Sequence, residues 1–160
     1  MRITIGLAAQ TLTLWRDGAA LKQWSVSTAT NGAGEISGSG CTPRGRHIIR
    51  AKIGAGAAIG TVFKGRRVAV DVPQYSPAMH ARYPGRDWIL TRILWLSGCE
   101  RGTNRLGCVD TMRRYIYIHG TPHENVLGLP ASHGCIRMGN ADIVELFDLV
   151  SVGTEVHLHD

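Results

Sequence analysis

The stretch Tyr115-Ile116-Tyr117-Ile118-His119-Gly120, followed after a short loop by Ser132-His133-Gly134-Cys135-Ile136-Arg137-Met138, decides how this chain is read. A thiol is a useful nucleophile only where a base or a positive field favours its thiolate form. Cys135 lies between a glycine and an apolar residue, with one histidine two positions before it and another sixteen before it. The apolar run Tyr115 to Ile118 reads as a strand ending at His119, which would hold that ring rigidly.

A mechanism can be built from these residues alone. Cys135 would attack a peptide carbonyl and form a thioester acyl-enzyme. His119 is the better base, because the short tether from His133 to Cys135 limits ring-to-sulfur geometry. No Asp or Asn stands out to orient the base, so a backbone carbonyl near Gly120 is expected to take that role. Gly134 allows close approach of the chain, and the N–H groups around Gly134 and Cys135 are candidates for holding the oxyanion. Arg137 has two readings, a bidentate partner for a substrate carboxylate or a salt-bridged support.

This pattern resembles the catalytic motif of the YkuD-like L,D-transpeptidase family. The resemblance extends to Thr42-Pro43-Arg44-Gly45-Arg46-His47-Ile48-Ile49 as a strand entry and to Arg113 through Thr121 as the histidine strand. It continues through Asn140-Ala141-Asp142 after the cysteine and Gly153-Thr154-Glu155-Val156 as a closing strand. It implies a mainly β, sandwich- or barrel-type catalytic domain with one or a few short helices, spanning residues 1–160 as a single unit. It also implies a cysteine acyl-enzyme that cleaves an L,D-peptide bond of a peptidoglycan stem, after a meso-diaminopimelate centre. In that pattern Cys135 is the nucleophile, His119 the base and the Gly120 carbonyl the orienting group. Ser132, His133, Gly134 and Arg137 complete the pocket, and no cofactor is required.

Alternating and β-branched runs predict strands over Ile3–Leu7, Thr11–Trp15, Leu21–Val26, His47–Ala51, Arg66–Val72, Trp88–Leu96, Tyr115–Ile118 and Thr154–Leu158. One helix is expected, N-capped by Asn140, with Ile143, Val144, Leu146, Phe147 and Val150 at helical spacing and Gly153 beyond its end. Residues 74–86 read as a long loop between strands, and the resemblance implies that it covers the cleft. The segments Gly32-Ala33-Gly34 and Gly54-Ala55-Gly56 lack the strand–helix context of a nucleotide site and read as turns. His47, His80, His123, His157 and His159 read as surface or loop histidines, with His123 a weak candidate for lining the cleft.

A chain of 160 residues with 44% hydrophobic content suits one domain with its own core. No long apolar span predicts membrane insertion. The net charge of +6 is scattered rather than gathered into a nucleic-acid module, and it suits anionic stem peptides or muropeptides as substrate. The segment from Met1 to Gln10 lacks the apolar core of a signal peptide, which predicts a cytoplasmic protein, or a periplasmic one if the natural N-terminus is longer. A bridge between Cys99 and Cys108 is within geometric reach, but in a reducing cytosol both are expected as thiols, as is Cys41.

Three functions compete. The first is an L,D-carboxypeptidase that releases terminal D-alanine from tetrapeptides in murein recycling, favoured by the absent export signal. The second is an L,D-transpeptidase that forms 3→3 crosslinks or exchanges D-amino acids. The third is a zinc site built from His119, His123, His133 and Cys135, whose spacing lacks the paired ligands of structural zinc sites.

Overall fold

The computed structural model describes residues 1–160 and is dominated by strands. In chain order they are β1 (Arg2–Gly6), β2 (Thr11–Arg16), β3 (Ala19–Ser25), β4 (Gly45–Ile53), β5 (Val62–Lys64), β6 (Arg67–Val68), β7 (Ile89–Gly98), β8 (Tyr117–Gly120), β9 (Ile136–Met138) and β10 (Glu155–His159). Two helices join them, α1 (Pro77–Arg82) and α2 (Asn140–Leu149). All strands belong to one mixed sheet, in the order β3-β2-β1-β10-β4-β7-β5-β6, with β8 and β9 branching from β7. β4 and β5 share one edge of β7, and β8 takes the other.

The alternation seen in the sequence has a direct cause in this sheet. Ile3, Ile5, Leu12, Leu14, Val156 and Leu158 point to one face and are fully covered there. Ile143, Leu146 and Phe147 of α2 complete that core, together with Leu94 and Leu96 of β7 and Ile118 of β8. Burying a side chain of this size stabilises by about 1.5–3 kcal/mol, so this layer fixes the strand register. Its consequence for the site is that β7, β8, β9 and α2 form a rigid platform.

Several boundaries differ from the sequence reading. The strand expected over Arg66–Val72 shrinks to β6, because Gly65 and Arg66 both adopt positive φ (56° and 64°) and form a tight turn from β5. β5 itself is too short and too closely bracketed by glycines to give a periodic signal. The histidine strand begins at Tyr117, since Tyr115 is also left-handed (φ 56°), and it runs on through His119 to Gly120. β9, which carries Arg137, was masked by the glycine-rich motif before it. Within 74–86 the chain forms α1, started by Ser76, whose hydroxyl accepts from the Met79 N–H, and by Pro77 at the first helical position.

Asn140 does not cap α2. Gly139 occupies the cap position, and the Glu124 carboxylate accepts from the Asn140 N–H at 2.6 Å. An acidic group there satisfies an orphan donor and the positive end of the helix together. The Asn140 side chain instead accepts from the Thr91 hydroxyl (2.6 Å) and donates to the Thr121 carbonyl (2.7 Å). It thereby clamps the end of β8 to an irregularity in β7, where the register shifts between Leu90 and Ile93 and Thr91 adopts φ 74°.

Candidate active site

β8 and β9 run parallel, with His119 opposite Arg137, and Cys135 immediately precedes β9. The parallel pairing brings together residues that the loop keeps apart in sequence. Cys135, His119, Ser132, His133 and Arg137 border one cleft of about 270 Å³. Gly134 lies beneath the cleft at φ 137°, a conformation that favours glycine, and an added Cβ would sit 3.3 Å from the Cys41 carbonyl oxygen. Gly120 is glycine because its Cα packs against β7, where a Cβ would lie 2.7 Å from the Leu90 carbonyl oxygen.

His119 is completely buried. Its Nδ1 lies 2.7 Å from the Gly120 carbonyl oxygen, which can only accept, so Nδ1 carries the proton. Nε2 is then a lone-pair acceptor, and it has no hydrogen-bond partner in the protein. Leaving a buried acceptor unpaired costs about 1–3 kcal/mol, so this nitrogen is the anomaly of the site. Burial pushes the His119 pKa down, and nearby Arg137 adds to this, whereas Asp87 and the Gly120 hydrogen bond oppose it. The ring is therefore neutral near pH 7.

The Cys135 thiol packs against the cluster of Phe63, Ile93 and Tyr117. Its sulfur accepts from the Tyr117 N–H (3.3 Å) and donates to the Tyr115 carbonyl (3.3 Å). Burial pushes its pKa up to about 12, with the Tyr117 N–H, Arg137 and Arg114 working against that rise and Asp87 adding to it. At rest the cleft is bordered by a neutral thiol and a neutral imidazole that are not hydrogen-bonded to each other.

The other motif residues divide into supports and cleft walls. The Ser132 hydroxyl donates to the Cys135 carbonyl (2.6 Å) and accepts from the Gly134 N–H (3.2 Å), so it braces the turn. Thr42 donates to the Gly134 carbonyl (2.9 Å) and accepts from the Ala29 N–H (3.0 Å), which ties the turn to the strand entry. With the Gly134 N–H occupied, the His133 and Cys135 N–H groups are the motif donors left for an oxyanion. His133 is exposed on the cleft wall. Arg137 is buried, donates to the Ala131 carbonyl (3.1 Å) and pairs with Asp87 (3.4 Å). It therefore has the ion pair of the support reading, and it also borders the cleft, as the substrate-binding reading requires.

Two histidines sit differently from the sequence reading. His123 does not line the cleft; its ring packs edge-on against His80 of α1, with centroids 5.2 Å apart. His47 is buried rather than exposed. His119, His123, His133 and Cys135 are not gathered into a ligand set, and no three His, Cys, Asp or Glu side chains converge as a metal site. All four cysteines are unpaired. No helix is long and apolar enough to cross a membrane.

Sequence reasoning missed three charged cleft residues. Arg66, from the β5–β6 turn, reaches over Tyr115 and bonds Tyr117, while Asp87 holds Arg137 and Arg114 braces the loop carrying Cys41. Arg66 and Asp87 are distant in sequence and have no local pattern. The pair Arg113-Arg114 was visible only as charge.

Comparisons with known proteins agree with this geometry. The family model for the L,D-transpeptidase catalytic domain, YkuD, matches residues 1–158. The chain is 49% identical over 47 residues to the probable L,D-transpeptidase YbiS of Escherichia coli K12, a stretch covering 29% of this chain and 15% of YbiS. It is 49% identical over 43 residues to the putative L,D-transpeptidase YqjB of Bacillus subtilis 168, covering 27% of this chain and 24% of YqjB. The matched stretches therefore span a quarter or less of these curated relatives. An L,D-transpeptidase from Mycobacterium smegmatis superimposes with a TM-score of 0.62 at 19% identity, covering 99% of this chain and 58% of that one. A second, from Xylanimonas cellulosilytica, gives 0.55 at 21% identity, over 98% of this chain and 59% of that one. These structures share the mixed β fold. Because the family model spans nearly the whole sequence, the chain belongs to the YkuD family of L,D-transpeptidase catalytic domains.

Proposed function

We propose that residues 1–160 form one catalytic domain that cleaves L,D-peptide bonds of peptidoglycan stem peptides through a thioester on Cys135. The observation that carries this is the buried His119, whose Nε2 is unpaired and which borders the same cleft as Cys135. Cys135 Sγ attacks the scissile carbonyl carbon while its proton passes to His119 Nε2. The His133 and Cys135 N–H groups stabilise the oxyanion. Collapse breaks the carbon–nitrogen bond, and the imidazolium returns its proton to the leaving amine. The Gly120 carbonyl keeps the ring in the tautomer this requires, and stabilises the imidazolium through the Nδ1–H bond.

Water and an amine are both competent to resolve the thioester, and the incoming group's proton returns through His119. Capture by an amine is favoured by the shape of the site. A larger depression adjoins the cleft through Asp87 and Ile89, and another through Arg114, Tyr115, Ile116 and His133. Two approaches suit a donor and an acceptor peptide, and the relatives above are described as L,D-transpeptidases. Hydrolysis is the second reading: water needs no second groove, and the product would be a tripeptide from which terminal D-alanine has been removed. The first reading places the protein with wall outside the membrane, the second with recycled muropeptides in the cytoplasm.

The test uses purified protein, a disaccharide-tetrapeptide ending in D-alanine and excess D-methionine, followed by mass spectrometry. A D-methionine-exchanged or dimeric product establishes amine capture. Tripeptide alone establishes an L,D-carboxypeptidase. No change in the tetrapeptide overturns both.

A further inference from the structure

Three arginines border the cleft, and they differ in how far their donors are used. A guanidinium has five N–H donors. Arg114 gives its donors to the carbonyls of Gly34, Glu35 and Cys41 and to the Ser39 hydroxyl. Arg137 is held by the Ala131 carbonyl and neutralised by Asp87. Arg66 makes one hydrogen bond, from Nη1 to the Tyr117 hydroxyl at 3.1 Å, and has no acidic partner. It is the cleft arginine with the most unused donors, and it has no carboxylate to neutralise it.

Its position is also fixed. Arg66 occupies the second residue of the β5–β6 turn at φ 64°, which costs a non-glycine residue about 1–2 kcal/mol. Its guanidinium lies 4.7 Å from the Tyr115 ring centroid and 5.0 Å from that of Trp95. Cation–π contacts and the Tyr117 bond hold the fork at one place while leaving most N–H groups free. Tyr117 in turn donates its backbone N–H to Cys135 Sγ, so Arg66 is linked to the nucleophile through one residue.

We infer that Arg66 is a specificity-determining residue that pairs with a free carboxylate of the stem peptide beside the scissile bond. This rests on the proposed stem-peptide reading and transfers to Arg66 the carboxylate-pairing role that the sequence alone offered to Arg137. The chemistry is a carboxylate–guanidinium fork, and two groups of the substrate supply it: the terminal α-carboxylate and the side-chain carboxylate of the diaminopimelate residue.

Three disaccharide-tetrapeptides separate the two sources: unmodified, amidated at the C-terminus, and amidated at the diaminopimelate side chain. The wild type should lose about 10- to 100-fold in kcat/KM on one amidated substrate, mainly through KM, as expected for a charge-assisted pair. R66Q should show that same loss on the unmodified peptide and no further loss on the matching amide. R66K should keep part of the preference, and Y117F, which loosens the fork without removing it, a larger part. Equal losses by R66Q on all three substrates would reduce Arg66 to a structural role and overturn the inference alone. An unaltered wild-type preference in R66Q would do the same. Failure of the wild type on all three peptides would overturn the stem-peptide reading and the Arg66 assignment with it.

Discussion

The molecule contains two buried histidines built almost alike, and they differ at one nitrogen. His119 and His47 are both nearly inaccessible, and each sets Nδ1 against a backbone carbonyl, Gly120 at 2.7 Å and Gly45 at 3.0 Å. Burial pushes both pKa values down. Each also borders a cavity containing a cysteine, Cys135 in one case and Cys99 in the other. The difference is at Nε2. In His47 it meets the Thr111 hydroxyl at 2.9 Å, and in His119 it meets nothing. A shifted pKa marks burial, whereas an unpaired nitrogen facing a cleft marks a site prepared for a proton.

The largest contrast lies in the cysteines. Cys135→Ala should abolish turnover, a loss of about 10³-fold or more, because no other group replaces the nucleophile. Cys99→Ala should leave turnover of the same substrate unchanged; equal losses would erase the distinction between the two cavities. Between the histidines, His119→Ala should lower kcat by about 10²- to 10⁴-fold. His47→Gln should instead lower the melting temperature and spare kcat per folded molecule. A large loss in His133→Ala alone, with His119→Ala active, would move the base to the exposed ring.

Stability against pH sharpens the comparison further. Burial holds the His47 pKa at about 4 against an ordinary value of 6.5. Between those values the unfolded chain binds the proton and the folded chain does not, so stability is full above pH 6.5 and falls toward pH 4. The loss from this residue is about 3 kcal/mol, and His47→Gln should remove it from the difference between urea midpoints at the two pH values. The His119 pKa is shifted in the same direction, so acid loss of activity should begin below the ordinary histidine range. The smallest effect concerns labelling. Near neutral pH, without substrate, iodoacetamide should reach the exposed Cys99 and Cys108 before Cys135, whose thiol is pushed up to about 12. Faster labelling of Cys135 would mean a standing thiolate.

How much of this was legible in the sequence follows from the range of each interaction. The motif residues Cys135, His119 and Gly120 were visible because chemistry fixes their types and a strand plus a tight turn fixes their spacing. The core strands near both termini were visible because one face of the sheet is buried, which writes a period of two into Ile3–Ile5 and Val156–Leu158. The roles of Asn140, Asp87 and Arg66 were not, because each acts across the sheet on a partner far along the chain. Asn140 has the composition of a cap, yet Glu124 performs that function from a separate turn. The ion pair of Arg137 with Asp87 was hidden too, because the two lie 50 residues apart. β5 and β9 escaped detection because three residues cannot display a period.

The measurement that tests the central claim most directly is the nitrogen NMR spectrum of the His119 ring near neutral pH, compared between the wild type and Cys135→Ala. A neutral ring, protonated at Nδ1 and bare at Nε2 in both proteins, is the result predicted here. A doubly protonated ring in the wild type that becomes neutral in Cys135→Ala would reveal a thiolate–imidazolium pair and contradict the account.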